Sequence, residues 1–417
     1  MPNEAVNRRR FRRIAGAGAA FQGATAAVDS ATVVASLVYQ LTGSVFAVGA
    51  ASAVLRLGWL LPQMLVGYLA ERAEQRMPFY VFGAFGRAIC AGLIAVFLWF
   101  GASLPMPLVA AGFLLLWSLY ALVSGVVAVP YNDIVGRAIA PDLRSRMLAW
   151  RFFGGGLVAL VVAGFIRWSL GVMPGLQAYG LIFALAAVLM ILSAALFVSA
   201  GEPELSRPVA LTHQRKTMGE FLHGGWDVLR DDARFRLFLQ SQWLGGSTLM
   251  ALPFYMVAAL QSGIGAGDVG LLLGMQTVGA LGSNLLWGRL GDRAGKLALL
   301  RMVALVRIVP PLGILILLAS GAGLAGYAVL FLLIGAMMNG VTIGYLGYLM
   351  EISPDDRRPA YSAYFNMLAS PAALAPVLGA GLVSLVSIKA VFIAAIAAAI
   401  WQMILLRQIS ALGPGAG

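Results

Sequence analysis

Charge is scarce in this chain. Asp, Glu, Lys and Arg make up 11% of its 417 residues, where an ordinary soluble domain carries about 25%. That excludes a typical water-soluble enzyme or binding module. Cysteine occurs once, as Cys90 inside an apolar run, so neither a disulfide framework nor a Cys-ligated metal site is expected. The only two histidines, His213 and His223, share one polar segment, which argues against a buried zinc or iron site. No phosphate-cradling glycine loop is present, nor a nucleophile elbow. ATP drive, enzymatic activity and a cofactor are therefore not expected.

What fills the chain is apolar. Hydrophobic residues make up 60%, glycine contributes 50 positions, and the mean hydropathy is +0.87. Abundant small residues suit helices that pack closely in lipid. A spanning helix needs about 20 mostly apolar residues. Twelve such runs can be read, at 14–40, 45–70, 79–101, 107–135, 146–171, 175–200, 234–261, 268–290, 297–320, 324–350, 359–386 and 388–409. The arginine-rich start, RRRFRR, precedes a run too long for a signal peptide and lacks a clear small-residue cleavage site. The prediction is an all-α membrane protein of twelve transmembrane helices. Its domains are an N-terminal six-helix bundle at 1–200, a linker at 201–233 and a C-terminal six-helix bundle at 234–417.

The net charge of +12 reports topology rather than nucleic-acid binding. Of 29 Lys and Arg residues, Arg167 and Lys389 alone fall at one set of alternating loops. Arg56, Arg87, Arg151 and Arg307 lie within apolar runs, and the rest gather on the other side. By the positive-inside rule both termini and the linker face the cytoplasm, as in a bacterial inner (plasma) membrane. Within the linker, Phe221, Leu222, Gly225, Trp226 and Leu229 share one helical face, which reads as a short amphipathic surface helix.

The two halves repeat. "GYLAERAEQR" begins at Gly67 and "GRLGDRAGK" at Gly288, an offset of 221 that also relates Glu71 to Asp292 and Arg72 to Arg293. "IAPDLRSRMLAWRF" (139–152) matches "ISPDDRRPAYSAYF" (352–365) at an offset of 213, relating Arg144 to Arg357. Arg87 matches Arg307 at 220. Parallel six-helix repeats are a known transporter design.

The glycine-led stretches resemble the signature of the major facilitator superfamily, roughly Gly-x-Leu-x-Asp-Arg-x-Gly-Arg/Lys after the second helix of a half. Gly288, Leu290, Asp292, Arg293, Gly295 and Lys296 match it. The first copy departs, with Glu71 for the aspartate and Glu74 for the later glycine. The resemblance implies two pseudo-symmetric six-helix bundles around a cavity that opens alternately to either side, working as a monomer. Drug exporters of this superfamily carry a Gly-Pro-x-x-Gly-Gly element in helix 5. Here Gly154, Gly155 and Gly156 stand without the proline, so drug export is not indicated.

Candidate residues follow. Gly67, Glu71, Arg72, Asp133, Arg144, Gly288, Asp292, Arg293, Glu351 and Arg357 would form cytoplasmic latches or simply obey the positive-inside rule. Ionisable groups at mid-bilayer are costly, hence functional candidates. Asp29 and Arg56 lack mates in the second half. They read as a proton-coupling site, or as a static pair joining helices 1 and 2, or as groups without contact. Arg87 and Arg307, being symmetric, read as structural. Arg151 is unmatched, and if it and Arg56 line the cavity they favour an anionic or zwitterionic substrate. Gln22, Trp117, Tyr120, Gln240, Trp243, Tyr255, Asn339 and Tyr345 are cavity candidates, since rings with polar tips suit reversible binding of an amphipathic ligand. The expected partners are a small-molecule substrate, protons and the lipid bilayer, with no nucleic acid. A competing expectation keeps the fold without transport: a membrane assembly factor, or one that handles pigment or lipid.

Overall fold

The computed structural model describes residues 2–73, 75–173, 175–203, 226, 228–353 and 358–411. Among them every regular element is helical. The first half runs α1 (Pro2–Ala27), α2 (Val33–Thr42), α3 (Val45–Arg72), α4 (Met77–Phe100), α5 (Met106–Gly125), α6 (Ala128–Ala138), α7 (Pro141–Val172) and α8 (Gly175–Ala200). The second runs α9 (Ala233–Gly245), α10 (Ser247–Gln261), α11 (Val269–Ala294), α12 (Lys296–Val306), α13 (Val309–Ser320), α14 (Leu324–Ile352), α15 (Arg358–Ala369), α16 (Ala375–Leu385) and α17 (Ile388–Ala411). Eleven spans are long and apolar enough to cross a membrane, and the short apolar α2 completes one more with α1. The twelve runs read from the sequence coincide with them. Most of the linker lies outside the described residues; of its expected amphipathic helix, Trp226 and 228–231 are described and helical, with Trp226 exposed and Val228 buried.

Five spans are built from two helices, and local chemistry explains several breaks. Between α1 and α2 the Asp29 carboxylate accepts from the Thr32 N–H at 2.8 Å, the Thr32 hydroxyl at 2.8 Å and the Ala31 N–H at 3.1 Å. It thereby orders the turn that leads into α2. α13 opens with Pro310 and Pro311 in its first turn, and α16 with Pro376. Proline has no N–H to offer the preceding turn, so it ends one helix and begins the next.

Within each half the second and fourth spans cross at glycines. Gly58 meets Gly125 between α3 and α5, and Gly279 and Gly335 bring α11 against α14. Gly58 and Gly279 differ by 221, the same offset as the opening repeat. A tryptophan also bridges each crossing: Trp117 Nε1 donates to the Ala51 carbonyl at 2.9 Å, and Trp287 Nε1 to the Ala336 carbonyl at 2.7 Å. The duplication is thus present in packing as well as in loops.

The chain's termini-side ends of the helices form one face, called here the terminal face. The two halves meet along α7 against α11 and α3 against α16. The contacts that can be placed run from mid-span to the face opposite the termini. Gly156 faces Leu281, Gly270 lies on the backbone of Ala163 and Arg167, and Gly49 on Pro376 and Ala380. At that face Gln261 Nε2 donates to Tyr39 Oη at 3.0 Å, and Arg167 pairs with Asp268 at 4.0 Å. On the terminal face the ion pairs described, Arg76–Asp133, Arg137–Asp133 and Arg137–Glu202, lie within the first half. The outer surface carries large exposed side chains such as Leu115 (72%), Val161 (74%) and Leu385 (87%). Such a surface would aggregate in water and suits lipid.

Candidate functional site

Inside the first bundle lies a cavity of about 190 Å³. α1 contributes Gly18 and Phe21, α3 Trp59, α4 Tyr80 and Arg87, α5 Ser124, α6 Tyr131 and Asn132, α7 Arg151 and α8 Ser193. Arg87 and Arg151 each stand ten residues past the start of their helices, at Met77 and Pro141. Both helices start at the terminal face. At ~1.5 Å per residue Arg87, in the span that opens at Met77, lies about 15 Å deep near the membrane midplane, and Arg151, in the span that opens at Arg146, lies about 7.5 Å deep.

Their surroundings are aromatic. The Arg87 guanidinium lies 4.0 Å from the centroid of the Phe21 ring. Arg151 donates from Nη1 to Tyr131 Oη at 2.9 Å, and its guanidinium is 5.2 Å from that ring's centroid. Tyr80 and Tyr131 pack on Phe197, at 4.2 and 5.1 Å between centroids. Gly18 makes room for the Arg151 stem, since a Cβ there would lie 2.5 Å from Arg151 Cγ.

Arg87 is 4% exposed. Its Nε, like that of Arg151, has no hydrogen-bond partner among the described residues. Among the described residues no carboxylate lines the cavity. Asp133, beside the lining Asn132, is engaged by Arg137 at 2.6 Å and Arg76 at 3.6 Å. A cation–π contact supplies about 0.5–2 kcal/mol, whereas an unpaired buried ion costs several. The site therefore offers two guanidinium groups with unused donors to one small chamber.

The mate of Arg87 is placed differently. Arg307 is also buried, at 6% exposure, but its Nη1 donates to Gln402 Oε1 at 2.5 Å.

The other predicted residues are dispersed. No ion pair or hydrogen bond joins Asp29 to Arg56 among the described residues, but the two lie close enough to interact electrostatically; Asp29 bonds the turn before α2, and Arg56 is half-buried with an unpaired Nε. Trp117 and Tyr120 are buried and stacked 5.0 Å apart. Tyr255 packs on Phe392 at 4.9 Å, and Tyr345 on Phe365 at 6.0 Å. Half-buried Gln22 fills the space beside Gly155, and Gln240 is exposed. Trp243 donates to the Leu368 carbonyl at 2.8 Å, and Asn339 to the Ala280 carbonyl.

Among the latch candidates, Arg144 bonds the Ile139 carbonyl at 3.1 Å and the Gly136 carbonyl at 2.5 Å, closing the end of α6. Gly67 and Gly288 have open space around them. Arg293 and Glu351 are exposed. The side chains of Glu71, Arg72 and Asp292, and all of Arg357, lie outside what is described.

Sequence reasoning missed Glu202. Its carboxylate accepts from Arg137 at 2.6 Å and from the Arg76 and Met77 N–H groups at 3.0 and 2.8 Å. It closes the N-terminus of α4 and ties α4, α6 and the end of α8 together. Burial pushes its carboxyl up, but the bonds from Arg137, Arg76 and Met77 outweigh burial and hold it below the ordinary value. The available signal was a lone acid just past an apolar run, on the arginine-rich side.

A family model described as Major Facilitator Superfamily matches residues 15–372. No curated protein matches. Among solved structures, a mutant of the nucleoside transporter NupG aligns at TM-score 0.69 and 14% identity, over 97% of this chain and 100% of that one. A bacterial homologue of the iron transporter ferroportin in its inward-facing state aligns at 0.70 and 16%, over 96% and 98%. The POT family transporter PepTSo aligns at 0.66 and 12%, over 97% and 98%. At these identities the likeness is one of fold.

Proposed function

The chain belongs to the major facilitator superfamily, and on that premise we propose that it is a secondary transporter moving a small organic solute by alternating access. The proposal places it in a bacterial inner membrane with both termini cytoplasmic. It divides the chain into bundles at 1–200 and 234–417 joined by the linker at 201–233.

One observation carries the reading. The halves meet from mid-span to the face opposite the termini, through α7–α11 and α3–α16, with Tyr39–Gln261 and Arg167–Asp268 at the outer end. Among the described residues the placed contacts between the halves stop short of the terminal face, which supports an opening toward that side. The same two helices, α3 and α7, carry Trp59 and Arg151 on the chamber's lining. The seam elements therefore also shape the chamber, so rocking one half on the other would change its access. Proton coupling is assigned to Asp29, the carboxylate at the break in the first span.

Reconstituted vesicles test this. Loaded with a mixed panel of organic anions, sugars and amino acids, they should show saturable exchange of at least one labelled solute. With an imposed pH gradient, accumulation should be lost in Asp29→Asn while exchange persists. Folded protein that exchanges nothing across the panel contradicts the transport reading.

A further inference from the structure

The mate pair Arg87 and Arg307 breaks its symmetry in a way that needs a chemical reason. Both are buried arginines on the third span of their half. Arg307 donates from Nη1 to Gln402, the fifteenth residue of α17, while its Nε, like that of Arg87, has no partner among the described residues. Leu189 stands at the fifteenth position of α8. Leu189 offers Arg87 no acceptor of the kind Gln402 gives Arg307. Arg87 instead faces a chamber, and a second guanidinium, Arg151, lines the same chamber.

Two like charges facing one small space repel each other. Aromatic rings soften that but do not neutralise it. Tyr131 supplies Arg151 with one hydrogen bond through its hydroxyl and brings no negative charge. What such a site lacks is an anion with two or more acceptor oxygens, the geometry a guanidinium fork recognises. The walls add the rest. Phe21, Trp59, Tyr80 and Tyr131 present ring surface, so the anion's body should be apolar and flat. The volume, about 190 Å³, falls below the ~300 Å³ at which pockets for drug-sized ligands begin.

We propose that the Arg87–Arg151 chamber binds a small organic anion, a carboxylate carried on a planar apolar body. Calling this anion the cargo rests on the transport reading; its binding does not.

The test is equilibrium binding of labelled benzoate to the full-length protein in nanodiscs. Benzamide serves as the uncharged isostere, and inorganic phosphate as an anion without a body. Benzoate should bind saturably, benzamide should fail to displace it, and phosphate should displace it weakly. Arg151→Gln and Arg87→Gln should each weaken binding about ten- to a hundredfold, the range for losing a charge-assisted hydrogen bond. Lys389→Gln, a cation on the far face, should leave it unchanged. Should Arg87→Gln not fold, Arg151→Gln and Arg87→Lys carry the same comparison, each checked for an unchanged melting temperature. Equal binding of benzoate and benzamide overturns the proposal. So does binding that survives loss of either arginine in a folded variant, and so does binding of phosphate alone. If benzoate binds as described but vesicles exchange no solute, the chamber stands and the transport reading fails. If vesicles exchange a sugar or amino acid and benzoate does not bind, the chamber proposal fails and the transport reading stands.

Discussion

Two acids do local work that their charge alone does not announce. Asp29 orders the turn between α1 and α2 through three hydrogen bonds to one carboxylate oxygen. Removing that acceptor with alanine costs about 1–3 kcal/mol, while asparagine keeps an acceptor oxygen. Asp29→Ala should therefore lower the melting temperature of purified protein and Asp29→Asn should not. If both lower it equally, that acceptor is not what Asp29 contributes. Glu202 lies beyond the end of α8, outside the membrane-spanning helices. Its folded value lies below its ordinary 4.5, so its contribution is full above about pH 5 and is lost as pH falls through the folded value. Glu202→Gln should cost about 1.5–3 kcal/mol at neutral pH, the range for hydrogen bonds to a charged group. The gap in melting temperature between wild type and variant should close as the pH drops below 4.5. A gap independent of pH would assign Glu202 to packing.

Among the helices, the glycine crossings set how closely spans approach. A Cβ on Gly335 would lie inside contact distance of the Gln276 carbonyl in α11, and one on Gly279 would meet the Leu332 carbonyl in α14. Backbone cannot yield as a side chain can. Gly335→Val should cost about 3 kcal/mol or more, above the usual 1–3 for overpacking. Gly288→Ala, with open space around it, should be close to neutral, and thermal unfolding of the two variants compares them directly. The spans themselves were legible because hydrocarbon thickness demands some 20 apolar residues and leaves few alternatives. The breaks were less so. Pro310 and Pro376 mark two of them, but the break at Gly246 carries no proline. The chamber was hardest to read. Arg151 was picked out because it lacks a mate, while Arg87 was set aside because it has one. What separates Arg87 from Arg307 is Gln402 on a distant span, and sequence order does not show that contact. Where many glycines permit many crossings, periodicity does not tell which face of a helix turns inward.

The whole molecule is two six-helix halves whose described contacts run from mid-span to the face opposite the termini, with an apolar outer surface for lipid. That asymmetry supports the proposed alternating access, and it is where the account is most exposed. Because Cys90 is the only cysteine and is buried, a Cys90→Ser background accepts paired spin labels at exposed positions. Labels at Gln75 and Ser410 report the terminal face, and labels at Ser103 and Ser320 the opposite face. The measurement is the two distance distributions in nanodiscs, with and without a saturating solute identified by exchange. Alternating access predicts that solute shifts them in opposite senses: the terminal-face distance shortens while the opposite-face distance lengthens. Two distributions that stay fixed, or that move together, would contradict it.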